Sequence, residues 1–111
     1  MSDYECVVYY GLKFRISNTE IDAINEEADE RVIAARKAKL NYYCSDLRSL
    51  DNEYFLFVGK ELGIMGRDEE AEVQLTAGEY KAITESTRAK LEHAGFKDSP
   101  HLHMQWLEVF Y

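Results

Sequence analysis

A strand that runs directly into a helix is indicated by residues 4–20, YECVVYYGLKFRISNTE. A period of two in the apolar residues up to position 16 predicts a long strand with one face against a core. The even positions of this segment are Tyr4, Cys6, Val8, Tyr10, Leu12, Phe14 and Ile16. Ser17 and Glu20 then have the spacing of a capping box, which satisfies two backbone N–H groups at the start of a helix.

The same pattern recurs at residues 71–79, AEVQLTAGE, where alternating apolar residues precede Thr-x-x-Glu. It predicts a strand over 71–76, followed by a second helix. Gly95 is a suitable end for that helix, because glycine adopts the left-handed conformation of a helix C-terminus easily. After the first capping box, the apolar spacing predicts one amphipathic helix from Asn18 to Lys39.

Two more strands complete the predicted fold. In residues 54–64 only Lys60 interrupts the apolar even positions, and the tail His101–Tyr111 also alternates. Residues 60–66 either continue their strand or turn back as a separate hairpin, and 41–52 are predicted to be a polar connection. The order β-α-β-β-α-β predicts an α+β, ferredoxin-like two-layer sandwich: a four-stranded antiparallel sheet with two helices on one face.

Length and charge restrict the classes of protein to consider. A chain of 111 residues has the size of a single domain, here 1–111. With 13 basic and 21 acidic residues its net charge is −8, which disfavours binding to nucleic acid. No apolar run approaches the roughly 20 residues that span a bilayer, so no membrane association is expected. Cys6 and Cys44 are unclustered, which is typical of reduced thiols, and we expect an intracellular, cytoplasmic protein.

The second face of the predicted sheet is unusually apolar. If the even positions pack under the helices, the odd positions should face water, yet several are aromatic or aliphatic. Apolar patches of this kind mark interfaces. The orientation of the last strand stays open, since both of its faces are apolar near the C-terminus. The predicted interface residues are Tyr9, Phe55, Phe57, Met65, Val109 and Tyr111.

Three occupants of that face are considered. A second copy would cover it in a homodimer, and twofold dimers are the commonest oligomers. Another protein, or the connection 41–52, is the second alternative for covering it. A flat ligand or a single-stranded nucleic acid would stack on its aromatic side chains, but the negative net charge places this alternative last.

Candidate catalytic residues are few. His101 and His103 are two positions apart on a strand, so both imidazoles point to one face and are candidates for acid–base chemistry. Two histidines are too few ligands for a metal site. The acidic residues at 68–70 are interpreted as the solvated tip of a hairpin. The sequence contains no phosphate-binding loop and no dinucleotide fingerprint, so we predict neither a metal nor a cofactor.

These observations favour a small acidic protein-binding module of the inhibitor, immunity or regulatory type. We expect it to form a homodimer through the apolar sheet face and to bind a protein partner with a basic surface. The alternative is a small cofactor-free enzyme or ligand-binding protein that resembles the dimeric α+β barrels, with a pocket lined by His and Tyr. In that case His101 and His103 would supply the acid and base.

Overall fold

The computed structural model describes residues 2–45, 54–66, 69 and 71–110. Over this part of the chain the elements are β1 (Ser2–Ile16), α1 (Asn18–Asn25), α2 (Glu30–Lys37), β2 (Asn41–Ser45), β3 (Tyr54–Gly66), α3 (Ala77–His93) and β4 (His101–Phe110). In the described part of the chain, four strands form one antiparallel sheet in the order β2-β3-β1-β4. The predicted α+β class and the four-stranded antiparallel sheet are therefore confirmed.

The central strand pair, β1 and β3, approaches most closely at two glycines. Gly11 lies opposite Gly59 in the ladder. A Cβ atom on Gly11 would lie 2.2 Å from the carbonyl oxygen of Val58, and one on Gly59 would lie 2.3 Å from that of Tyr10. Because both clashes are with backbone, only glycine allows this approach.

β3 continues through residues 60–66, so no hairpin forms there. Its pairing with β1 shifts at one point, because Tyr9 lies opposite Glu61 while Val8 lies opposite Gly63. Leu62 is thus the extra residue of a β-bulge.

The bulge exchanges the two faces for the rest of β3. Ile64 lies opposite Val7, and Met65 lies opposite Cys6. The prediction that Met65 shares a face with Phe55 and Phe57 is therefore wrong, since directly opposed residues of a ladder point to the same side.

The fourth strand is not the predicted one. Residues 41–45, predicted to be part of a connection, form β2, whereas residues 71–76 form no strand. β2 pairs with residues 55–59 of β3. It therefore occupies the edge of β3 where the strand predicted at residues 71–76 would have paired. The remainder of the predicted connection, 46–52, lies outside the described residues, as do residue 53 and residues 67, 68 and 70 at the predicted hairpin tip.

The predicted helix over 18–39 is divided into α1 and α2. Glu27 adopts a left-handed conformation with φ of 60°, and the N–H of Ala28 donates to the carbonyl of Ala23 at 2.8 Å, which closes α1. Asp29 then caps α2 by accepting a hydrogen bond from the N–H of Arg31 at 2.8 Å. A continuous helix is therefore wrong for this segment.

The caps of α3 agree with the sequence. Thr76 Oγ1 accepts from the N–H of Glu79 at 3.1 Å, and the Glu79 carboxylate accepts from the N–H of Thr76 at 3.3 Å. At the other end Gly95 has φ of 95°, and the N–H of Phe96 donates to the carbonyl of Leu91 at 3.0 Å. This is a Schellman ending, and Gly95 ends the helix as predicted.

One core cluster joins the helices to the sheet. It combines even-numbered residues of β1 and β3 with residues of all three described helices. Its buried members are Leu12, Ile16, Ile24, Val32, Ala35, Leu40, Leu56, Val58 and Leu91. Among the described residues, no helix has both the length and the apolar character needed to cross a membrane.

Candidate functional site

The sheet face opposite the helices carries a second cluster of buried side chains, which we call the outer cluster. Tyr9 is 2% exposed and Phe57 is 1% exposed, and Phe55 is also buried. The expectation that these three residues lie on an open face is wrong, because they are covered within one chain. The outer cluster consists of Val7, Tyr9, Tyr43, Phe55, Phe57, Ile64 and Leu107.

Aromatic contacts hold the outer cluster together. The ring of Tyr9 packs edge-on against Phe57, with centroids 4.4 Å apart, and Phe57 lies 4.6 Å from the ring of Tyr43. The ammonium group of Lys13 lies 3.8 Å from the centroid of the Phe55 ring. The lysine therefore covers this aromatic ring through a cation–π contact.

His103 belongs to the same face and covers Tyr9. The two rings are stacked, with centroids 4.6 Å apart and planes within 8° of parallel. The Nε2 atom of His103 lies 3.2 Å from the carbonyl oxygen of Gly11, so the neutral ring donates its proton there. Burial lowers the pKa of His103 below the ordinary value of 6.5. Its neutral form is therefore favoured in the folded protein.

The two candidate histidines are neighbours but do not form a metal centre. The rings of His101 and His103 lie 6.1 Å apart at an interplanar angle of 85°. No group of three or more potential metal ligands occurs in the part of the chain that the structure describes. Cys6 and Cys44 are thiols and not halves of a disulfide.

Two phenol groups of the outer cluster are buried in an unusual way. The hydroxyl oxygens of Tyr9 and Tyr43 accept and donate no hydrogen bond among the described residues. Burial is the main reason why the pKa of each phenol is raised well above its ordinary value. The neighbouring Glu61 carboxylate raises the pKa of Tyr43 further. Both rings line a cavity of about 10 Å³, the size of one water molecule.

A larger pocket of about 520 Å³ opens beside the outer cluster. Its apolar part is formed by Val7, Ile64 and Leu107, and its polar part includes Asn41 and Glu61. The side-chain oxygen of Asn41 accepts a hydrogen bond from the N–H of Glu61 at 2.9 Å, which joins the start of β2 to β3. A volume in this range suits a small organic ligand.

The exposed apolar surface lies elsewhere, on the edge strand β4. The structure decides the orientation of this strand: Leu102, Met104 and Trp106 lie opposite Tyr10, Val8 and Cys6 of β1. Met104 is 67% exposed and Trp106 is 50% exposed, because α3 packs over β1 and β3. We call the exposed apolar residues Tyr4, Leu102, Met104 and Trp106 the β4 stripe.

The predicted interface therefore differs from the exposed apolar surface. Tyr9, Phe55 and Phe57 come together but are buried, and Met65 lies on the other face. The side chain of Val109 and the whole of Tyr111 lie outside the described residues. The alternation of Leu102, Met104 and Trp106 was the available signal for the β4 stripe. Sequence could not assign its face, because both faces of this strand are apolar near its end.

Comparison of this chain with models of known protein families, with curated proteins and with solved structures found no significant match.

Proposed function

We propose that this protein is a small acidic interaction module that self-associates by pairing the β4 strands of two copies. The fold proposed for it is the ferredoxin-like sandwich. The strand order β2-β3-β1-β4 supports this, as do the helical connections that link β1 to β2 and β3 to β4. Each of these connections joins two strands between which one antiparallel strand lies, as in a split βαβ unit.

The β4 stripe is the observation that carries the proposal. β4 is an edge strand of ten residues, and its ladder with β1 has no register shift. Its sequence contains neither lysine nor proline, which are among the usual protections of an exposed edge. A long, regular and apolar edge is a surface that another strand can extend.

A second copy is the occupant that fits this edge. If a twofold axis passes beside Met104, antiparallel pairing places Leu102 of one copy beside Trp106 of the other. The same pairing places Glu108, the single acid of β4, opposite Pro100 and not opposite another acid. In a chain of net charge −8, β4 is thus a surface where two copies meet with little repulsion.

Exposed acidic residues supply the second part of the proposed function. A dimer through β4 would leave exposed acids, among them Asp22, Glu26, Glu72 and Glu79, available to a protein partner with a basic surface. Such a module would act as an inhibitor, an immunity protein or a regulatory subunit. A cytoplasmic location, expected from the two thiols, belongs to the same proposal.

The mass of the protein in solution tests self-association. We expect native mass spectrometry and sedimentation to give twice the chain mass of 12.9 kDa at micromolar concentration. Replacing Trp106→Glu or Met104→Glu should give a single chain, because each change places a charge in the apolar seam.

The matched control is Ile33→Glu, which changes an exposed apolar residue of α2 and should leave the dimer intact. Circular dichroism should show the same secondary structure in all variants. A single chain for the unsubstituted protein at high micromolar concentration would overturn the proposal. Loss of the dimer in all three variants alike would also overturn it.

A further inference from the structure

We propose that the pocket beside the outer cluster binds a small organic cation, an ammonium group attached to a short apolar body. The pocket measures about 520 Å³. That volume lies within the range of small-molecule sites, and one chain forms the pocket on the sheet face opposite the β4 stripe. The proposal is therefore independent of self-association.

The apolar part of the pocket accounts for the body of the ligand. Val7, Ile64 and Leu107 come from three neighbouring strands and meet on the sheet face away from the helices. A hydrocarbon or phenyl group placed against them would remove apolar surface from water, which is favourable in proportion to the area covered. Tyr43, which belongs to the outer cluster, also lines the wall.

The charge of the pocket accounts for the sign of the ligand. Glu5 and Glu61 line it, while no lysine or arginine of the described residues does. The field of Glu61 reaches the wall, since this carboxylate contributes to the raised pKa of the Tyr43 phenol. An ammonium group is stabilised in this field and an anion is repelled.

The aromatic wall supplies a further contact. Tyr43 lines the pocket and belongs to the outer cluster. The face of a tyrosine ring also attracts a cation. Carboxylate and aromatic ring together are the groups expected at a site for an organic ammonium ion.

Titration calorimetry and proton–nitrogen NMR with three matched probes test the proposal. The probes are 2-phenylethylammonium, the neutral 2-phenylethanol and the anionic 3-phenylpropanoate, which share a phenylalkyl body. We expect the cation to bind and to shift the backbone signals of residues 61–64. The neutral probe should bind about fivefold or more weakly, a factor typical of one partly exposed charge interaction.

Two variants and two controls assign the contacts. Glu61→Gln should weaken binding of the cation about fivefold and leave the neutral probe unchanged. Tyr43→Leu removes the aromatic ring and should also weaken cation binding, whereas Tyr43→Phe retains the ring and should not. Glu72→Gln removes an exposed acid outside the pocket and should have no effect.

Three outcomes would overturn the proposal: no binding of the cation at millimolar concentration, equal affinity for the cation and the neutral probe, or equal weakening by Glu61→Gln and Glu72→Gln. The native mass should be recorded for the same samples. Because the pocket and the β4 stripe are separate surfaces, failure of one proposal is distinguishable from failure of the other.

Discussion

At the residue scale, the packing of the His103 side chain makes the stability of the folded protein depend on pH. Its ring lies flat on Tyr9 and donates to the carbonyl of Gly11; this hydrogen bond raises the pKa of His103, but burial lowers it more. Burial is the largest cause of its lowered pKa, and the positive charge of Lys13 lowers the pKa further. The residue is thus a structural element of the outer cluster, in addition to a candidate acid or base.

The lowered pKa of His103 predicts a loss of stability in mild acid. The unfolded chain, with an ordinary pKa of 6.5, binds the proton more readily than the folded protein does. The stabilisation is therefore complete above about pH 6.5 and is lost as the pH falls toward the lower folded pKa. Urea unfolding measured from pH 7 to pH 5 should show this decrease.

Replacement of the imidazole provides the control for this prediction. In His103→Gln the decrease between pH 7 and pH 5 should be smaller, whereas His101→Gln should retain it. The carboxylates of Glu20 and Asp29 affect the pH dependence of stability only at lower pH. Hydrogen bonds hold the pKa of each group below its ordinary value, which is 4.5 for Glu20 and 3.8 for Asp29. An unchanged pH profile in His103→Gln would contradict the assignment.

At the element scale, the break between α1 and α2 follows from side-chain competition for backbone groups. Asp29 accepts hydrogen bonds from both the backbone and the guanidinium of Arg31, which favours a new helix start at this point. The left-handed Glu27 before it orients its carboxylate toward Arg36 and the hydroxyl of Tyr42. Both short helices then direct apolar residues into the same core.

Removing the cap of α2 should destabilise the protein. We expect Asp29→Ala to lower the free energy of unfolding by about 1 kcal/mol, the usual cost of losing an N-cap side chain. Asp29→Asn keeps an oxygen that can cap the helix but loses the charge that pairs with Arg31. The free energy of unfolding should therefore fall less in Asp29→Asn than in Asp29→Ala. Equal losses for the two variants in urea unfolding would assign the effect to the ion pair instead.

At the scale of the whole molecule, the net charge of −8 opposes any contact between two copies. The β4 stripe is apolar, so the attraction between the strands depends little on salt, while the repulsion is screened. The proposed dimer and the proposed cation site therefore respond to salt in opposite directions. Dimerisation should strengthen with salt, and binding of an ammonium ion should weaken.

Sedimentation over a series of sodium chloride concentrations tests this prediction. Between about 20 mM and 200 mM salt, the dissociation constant of the dimer should fall several-fold, since the screening length shortens to less than 10 Å at the higher value. A dissociation constant that rises with salt would mean that ion pairs, and not the apolar stripe, hold the two copies together.

Much of the local structure follows from the sequence, because it depends on neighbours within a few residues. The strand predicted over residues 4–16, the capping box at Thr76 and the ending at Gly95 are all correct in the structure. Each involves hydrogen bonds or side-chain directions that residues close in the chain define for themselves.

Tertiary structure decided which strands pair and which faces are covered. Whether residues 41–45 or 71–76 lie beside β3 depends on partners distant in the chain, and the bulge at Leu62 moves Met65 to the other face. The sequence thus determined that the second sheet face is apolar. Only tertiary packing buried the outer cluster and left the β4 stripe exposed. Burial depends on contacts with residues that are distant in the chain, and the local sequence pattern does not specify these contacts.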